Sequence, residues 1–556
     1  MEKVFQNDNC QSCGKSFEIT DRDIAFYERI KVPKPTLCPD CRQQRRLAWR
    51  NQRSLYRRKC DATGKELISI FSPDKKNPVY ANSYWYSDKW DGKSFAQDFD
   101  FNKPFFAQFA ELMEKVPQMS LASINNINSD FVNQCGWCED CYLIFEADAN
   151  EKCMYCQNLY NSLQCLDVLN AEECKYCYEC VTCYNCYDLR FSIGSNTCSQ
   201  SWFLKDCIGC TNCFGCVNLR NKKYYYLNKQ CTKEDYEKKL ASLDLLTVKG
   251  LKALQKSFID FVKKIPHKYI HGANNESSTG DYLWNTKRCN NCFEVTKGDD
   301  CKYTFNSRNV KNVYDMTVFG GNKGADFCYE VCGVGEAVRN IFFSSDVCNS
   351  AYDIYYSMMC INNSHNLFGC IGLKHESYCI LNKQYSREEY EALFPKIVEH
   401  MKTTGEWGQF FPSNLSLFAY NETTAQDYFP LTKEEVLRGG WKWKDEDPRD
   451  YLPATAEVSD KIEHVSDNVI NEILSCAECK KNYRVSRQEL KFYRKMKLPI
   501  PLSCFNCRLQ ARIKLCNPRK LYTRQCKGCS EILQTTYAPE RPEPIYCEQC
   551  YLKEVI

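Results

Sequence analysis

Twelve cysteines stand in paired CxxC knuckles: Cys10 and Cys13 with Cys38 and Cys41, Cys476 and Cys479 with Cys504 and Cys507, and Cys526 and Cys529 with Cys547 and Cys550. A thiolate is a soft ligand, and two knuckles together supply the four sulfurs that tetrahedral zinc prefers. The inner gap is 24 residues in the first two quartets and 17 in the third. Three zinc sites are therefore expected. Each is closed by four protein ligands, which leaves no position for water or substrate and marks a structural site. None of the six histidines lies in an HExxH, an HxE…PCxxC or a nucleophile-elbow context. No Walker loop or dinucleotide fingerprint is present. His267-x3-His271 has metal-ligand spacing, but no carboxylate or thiol nearby completes a site. The expectation is a protein that is not an enzyme and has no small-molecule substrate.

The two ends repeat each other at an offset of 466 residues. Phe26-Tyr27 matches Phe492-Tyr493, Pro35 matches Pro501, Arg42 matches Arg508, Arg46 matches Arg512, and Cys60 matches Cys526. At the offsets of Cys529, Cys547 and Cys550 the first copy has Thr63, Ala81 and Tyr84. A second N-terminal ribbon that has lost its metal and kept its shape is expected there. The segment CQSCGKSFEITDRDIAFYERIKVPKPTLCPDCRQQRR resembles a treble-clef zinc-ribbon domain: CxxC, a Phe, a helix carrying Phe-Tyr, a Pro, then CxxCR. CAECKKNYRVSRQELKFYRKMKLPIPLSCFNCRLQAR resembles it too, with Lys480 in place of Gly14. The whole arrangement is similar to bacterial multi-zinc-ribbon proteins of uncharacterised function. The resemblance implies a metal-bound fold whose second ligand pair opens a helix, and it implies no activity.

Net charge is only +4, but it is unevenly placed. Residues 1–60 hold 14 Lys and Arg against 7 Asp and Glu, and residues 476–556 hold 17 against 7. The densest stretch follows the second CxxC of each ribbon: Arg42, Arg45, Arg46, Arg50, Arg53, Arg57 and Arg58, then Arg508, Arg512, Lys514, Arg519, Lys520 and Arg524. A four-thiolate zinc site carries a net −2 charge, which two or three nearby cations offset. The surplus, interleaved with Trp49, Leu55 and Tyr56, has the composition of a phosphate-contacting and base-stacking surface. Nucleic acid, as structured RNA or the ribosome, is the partner expected from this pattern. The competing partner is protein, including the acidic middle of the same chain.

Between the ends lies a Cys-, Tyr- and Asn-rich repeat. Cys135, Cys156, Cys177 and Cys198 are evenly spaced, and Cys165, Cys186 and Cys207 share the same interval. A fixed period near 20 suggests one coil per repeat, read as a parallel β-solenoid with short helical repeats as the alternative. A second array covers roughly 289–385, with triplets such as Tyr314-Asp-Met and Tyr352-Asp-Ile echoing Leu166-Asp-Val and Tyr187-Asp-Leu. Both arrays end in a segment with a helix-capping signal, Thr232-x-x-Asp235 and Ser386-x-x-Glu389. Cys174, Cys177, Cys180, Cys183 and Cys186 recur at every third position, which requires turns within the run. These thiols are read as core packing, with further zinc or an iron–sulfur cluster as the alternatives.

The chain is therefore expected to be a mixed α/β multidomain protein: treble-clef ribbons at both ends flanking two β-solenoid arrays with helical caps. The divisions are a ribbon at 1–60, a degenerate ribbon and aromatic helical segment at 61–134, solenoid A at 135–231, a helical connector at 232–287, solenoid B at 288–385, a helix and acidic Trp-containing linker at 386–475, and tandem ribbons at 476–556. No signal peptide or spanning segment is visible, and a reducing cytoplasm suits 40 cysteines. The expected function is a zinc-stabilised scaffold whose basic ribbons contact nucleic acid. The alternatives are a protein-interaction scaffold and a metal-handling or redox protein using the solenoid thiols.

Overall fold

The computed structural model describes residues 3–168, 189–320, 329, 332–335, 345–347, 352–446 and 451–555. The chain forms two compact units, each discontinuous in sequence: 1–121 with 270–444, and 122–269 with 445–556. The N-terminal ribbons thus belong with the second solenoid, and the C-terminal ribbons with the first.

Both solenoids are built on a triplet. From Asn125 to Asp167 every third residue has φ between +46° and +63°, including bulky Trp137, Leu143 and Tyr155. A left-handed residue turns the chain, so each triplet is one short side. Four sides close a coil. The register shows it directly: Asn133 pairs with Phe145 and Phe145 with Gln157, all parallel, so each partner lies four triplets further along. Leu189 pairs with Ser201, and Phe293 pairs with Phe305, which pairs with Thr317. The interval from Cys135 to Cys156 is therefore not a coil. It is seven triplets, and the coil is four. The second array is less regular: Thr317 pairs with Cys332, a longer step, and Tyr352 with His365. Coils begin earlier than the cysteine pattern indicates, at Ser123–Ile124 and at Gly272–Ala273.

The residue after each left-handed corner points inward. Those positions hold Val132, Cys135, Cys138, Cys141, Ile144, Ala147, Asn150, Cys153, Cys156 and Leu159, all buried. So narrow a core admits only small or slender side chains, and cysteine suits it because the thiol also serves the backbone. Cys153 Sγ lies 3.3 Å from the Glu151 carbonyl and 3.5 Å from that of Ser162, and its N–H donates to Cys141 Sγ of the coil before. Serine does the same elsewhere: Ser201 Oγ donates to the Ser199 carbonyl and accepts from the Cys213 N–H. The thiol ladder thus satisfies inward-facing peptide groups that would be costly to leave unpaired. The five-cysteine run from Cys174 to Cys186 lies outside the described residues.

Each solenoid ends in a short antiparallel return, Tyr225 with Gln230 and Cys379 with Gln384. A helix follows: Lys233–Ala241 capped by Thr232, and Arg387–Thr403 with a capping box from Ser386 and Glu389, as the sequence signals predict. Tyr236 and Tyr390 turn from these helices into the interior. In the first unit an aromatic core joins ribbon residues Phe26, Tyr27 and Trp49 to solenoid residues Tyr314, Tyr356 and Phe368. In the second, Phe492 and Tyr493 join Tyr155, Leu166 and Phe203. No helix among the described residues is long and apolar enough to cross a membrane.

Candidate metal centres and the ribbon docks

The knuckles close as the spacing predicts. In all three quartets the four sulfurs lie within 4.8 Å of one another, and these are the groups among the described residues that could hold a metal ion. The Sγ–Sγ distances are 3.8 Å for Cys13–Cys38, 3.7 Å for Cys479–Cys504 and 3.8 Å for Cys529–Cys547. A tetrahedron with metal–sulfur bonds of about 2.3 Å has edges of about 3.8 Å, so the donor set fits a tetrahedral thiolate-bound ion. The first knuckle of each quartet turns on a left-handed residue: Gly14 at φ +70°, Lys480 at +62°, Ser530 at +62°. Its N–H donates to the carbonyl of the first cysteine, as Gly14 N does to Cys10 O at 2.9 Å. Burial pushes the Cys476 thiol up, but the N–H groups of Cys479 and Cys504 outweigh it and hold the thiol at about 6, in the range that favours the ligating thiolate.

The fourth ribbon keeps the frame without the ligands. Its hairpin, Tyr56–Lys59 with Glu66–Ser69, repeats Tyr522–Gln525 with Ile532–Thr535 at the same offset that relates the two ends. The Ala81 N–H donates to Cys60 Sγ at 3.3 Å, as the Cys547 N–H does to Cys526 Sγ at 3.2 Å. Only Cys60 remains as a sulfur donor.

The second knuckle opens a helix in both ribbons, Pro39–Leu47 and Phe505–Ile513. Two arginines one turn apart, Arg42 with Arg46 and Arg508 with Arg512, emerge on its inner face. Both pairs converge on one buried aspartate. Arg42 Nε lies 3.0 Å from each oxygen of Asp315, and Arg46 Nη1 lies 3.2 Å from one. Arg508 Nε lies 2.8 Å from Asp167, and Arg512 Nη2 lies 3.2 Å from it. Arg42 also donates to the Leu37 carbonyl and sits over the Tyr303 ring; Arg508 donates to the Ser503 carbonyl and sits over Tyr155. The ribbon residues of the two docks are related by the offset of the chain ends, and the solenoid residues by a second constant offset, the one that relates Tyr155 to Tyr303 and Asp167 to Asp315. The aspartate occupies a left-handed corner in each case, at φ +56° and +63°.

No family model and no curated protein matches this chain.

The docks account for much of the basic run. Arg42, Arg46, Arg50, Arg508 and Arg512 are buried, so they do not form the outward face that their density suggests. A guanidinium leaves water only where a carboxylate or dipole receives it, and the solenoid supplies that partner. Arg53 pairs with Asp427 at 2.8 Å, Arg58 with Asp61 at 3.0 Å, and Arg524 donates to the Glu543 carbonyl. Arg45 lies over Phe410, and Arg519 is half-buried. Arg57, Lys514 and Lys520 face solvent. The two histidines go separate ways: His271 Nδ1 contacts Asp281 at 2.9 Å and stacks on Tyr282, while His267 is buried against Tyr537. Asp167, Asp315, Tyr155 and Tyr303 are the site residues that sequence reasoning missed. Their signal was a tyrosine four triplets ahead of an aspartate, repeated in both arrays.

Proposed function

We propose that the chain is a non-enzymatic scaffold braced by three zinc ions, and that its outer surfaces meet a protein partner. The inward placement of Arg42, Arg46, Arg508 and Arg512 carries this reading: the cations that favoured nucleic acid brace the ribbons against their own solenoids. Zinc is the ion that a closed four-thiolate tetrahedron suits, and its four protein ligands leave no open position for catalysis. Cys10, Cys13, Cys38 and Cys41, with the two C-terminal quartets, are the ligands. Arg57 in one unit, and Lys514 with Lys520 in the other, each keep a smaller nucleic-acid surface as the second reading.

Sedimentation of the tagged full chain from a gently lysed native host, with and without ribonuclease, separates the two. A particle heavier than the lone chain, unchanged by nuclease and by added salt, is the expected result. Collapse to a light species on nuclease treatment would replace the protein partner with RNA. The lone chain in both lanes would overturn both readings.

A further inference from the structure

The two docks share most of their contacts and differ at a few solenoid positions: Asp300, which pairs with Arg22, is Lys152 in the other array, Tyr314, which stacks on Phe26, is Leu166, and a third, buried position also changes. In each, an aspartate receives two arginines and a tyrosine ring lies under the first of them. A polar side chain from the other ribbon helix reaches a corner carbonyl: Arg22 Nη2 donates to Arg288 O at 3.1 Å, and Gln488 Nε2 to Asp140 O at 3.0 Å. The N-cap residue faces one solenoid side chain: Thr20 Oγ1 accepts from Lys302 at 3.1 Å, and Ser486 Oγ lies 3.9 Å from Met154 Sδ. That position is the buried one at which the charge differs. Lys302 is 3% exposed on its side chain and holds Asp23 at 2.8 Å. Met154 offers no charge, and Glu489, the counterpart of Asp23, instead accepts from the Tyr155 hydroxyl at 2.7 Å.

We propose that the residue beneath the third helical position, Lys302 in one solenoid and Met154 in the other, helps to sort the two ribbons between docking surfaces built to the same plan. Consider each exchange. Asp23 is one methylene shorter than Glu489. On the first solenoid its carboxylate would stop about 1.5 Å short of the reach Glu489 has, beyond hydrogen-bond distance of Tyr155, and would be buried against a thioether. Glu489 on the second solenoid would still find Lys302. The discrimination therefore acts against the N-terminal ribbon landing on the first solenoid, within one chain or on a second copy. Because the ribbon residues and the solenoid residues are both duplicated, such exchange is the error this chain is most exposed to.

The test uses the full chain and reads amide hydrogen exchange of the ribbon helices Asp21–Arg29 and Arg487–Met496. Lys302→Met should raise exchange of the first helix at least 100-fold and leave the second unchanged. Adding Asp23→Glu should restore protection to within tenfold, because the longer carboxylate reaches Tyr303 as Glu489 reaches Tyr155. The mirror pair reads the same rule in the other unit: Glu489→Asp should deprotect the second helix, and Glu489→Asp with Met154→Lys should restore it. A buried lysine that merely fills space would not be rescued by lengthening a carboxylate. If neither double variant improves on its single parent, or if both single variants are harmless, the sorting role is wrong.

Discussion

Replacing Asp315 by Asn keeps the side-chain volume and removes one charge. Asp315 is fully buried and faces Arg42 at 3.0 Å and Arg46 at 3.2 Å; both arginines are at most 1% exposed. Neither can lose its proton at neutral pH. The variant leaves two cations out of water with one neutral amide between them, and breaking a buried pair in this way costs about 3–5 kcal/mol. At about 1.36 kcal/mol per decade, the docked ribbon should open roughly 160- to 5,000-fold more often. A control lies on the same ribbon. Arg22 pairs with Asp300, whose side chain is 35% exposed, and also donates to the Arg288 carbonyl, so Asp300→Asn should cost less than about 1 kcal/mol. Native-state hydrogen exchange of Pro39–Leu47 reads the opening directly, which global unfolding of a chain with two units does not. A third variant isolates charge from packing: Arg42→Met, Arg46→Leu and Asp315→Leu together should lie near the wild type, since an apolar replacement restores a matched interior. If Asp315→Asn and Asp300→Asn open the ribbon equally, the buried aspartate does not hold the dock.

Metal analysis should find three zinc ions per chain, and Thr63→Cys, Ala81→Cys and Tyr84→Cys together should raise the count to four, because Cys60 and its hairpin retain the frame of the fully liganded ribbon; a count still at three would show the frame has drifted. Cys207 donates to the carbonyls of Lys205 and Cys216, a task serine performs at Ser195 and Ser201, so Cys207→Ser should change stability by less than about 1 kcal/mol in denaturant titration, and a larger loss would mean the thiol does more than serve the backbone. Burial pushes the Glu489 carboxyl above its ordinary value, with Arg508 and the Tyr155 hydroxyl opposing. The folded ribbon then holds a proton that the unfolded chain has lost once pH exceeds about 4.3, so protection of Arg487–Met496 should fall as pH rises from there toward the folded value. Glu489→Gln should flatten that slope; a slope of opposite sign would contradict the burial argument.

The ligand quartets, the duplication at both ends and the capped helices after each solenoid could all be read from residue type and spacing, because metal ligation and capping are local rules with few solutions. Coil length could not. The interval between the recurring cysteines is a whole number of triplets, and nothing in it says that four sides, not seven, close a coil; that follows from the backbone angle at each corner. The destination of the arginines was equally hidden. A basic run reads the same whether it faces water or a buried acid, and the acid here, Asp315 or Asp167, lies hundreds of positions away among many other charged residues. Both aspartates have a tyrosine one coil earlier on the same side, and that relation is visible only once four triplets are known to close the coil.

The discontinuity of each unit along the chain also sets a timetable. The arginines of the first ribbon precede Asp315 by roughly half the chain; at about 5–20 residues per second, that ribbon leaves the ribosome on the order of 15–50 s before its dock exists. Throughout that interval its guanidiniums stay hydrated, so any polyanion it meets competes with Asp315 for them. Asp167 waits in turn for Arg508, through a still longer stretch. The unit that contains residues 1–121 can be finished when residue 444 has emerged, whereas the one begun at residue 122 still lacks its ribbons. Closure is therefore interleaved, and a stall between the two events would leave one dock sealed and the aspartate of the other without its arginines.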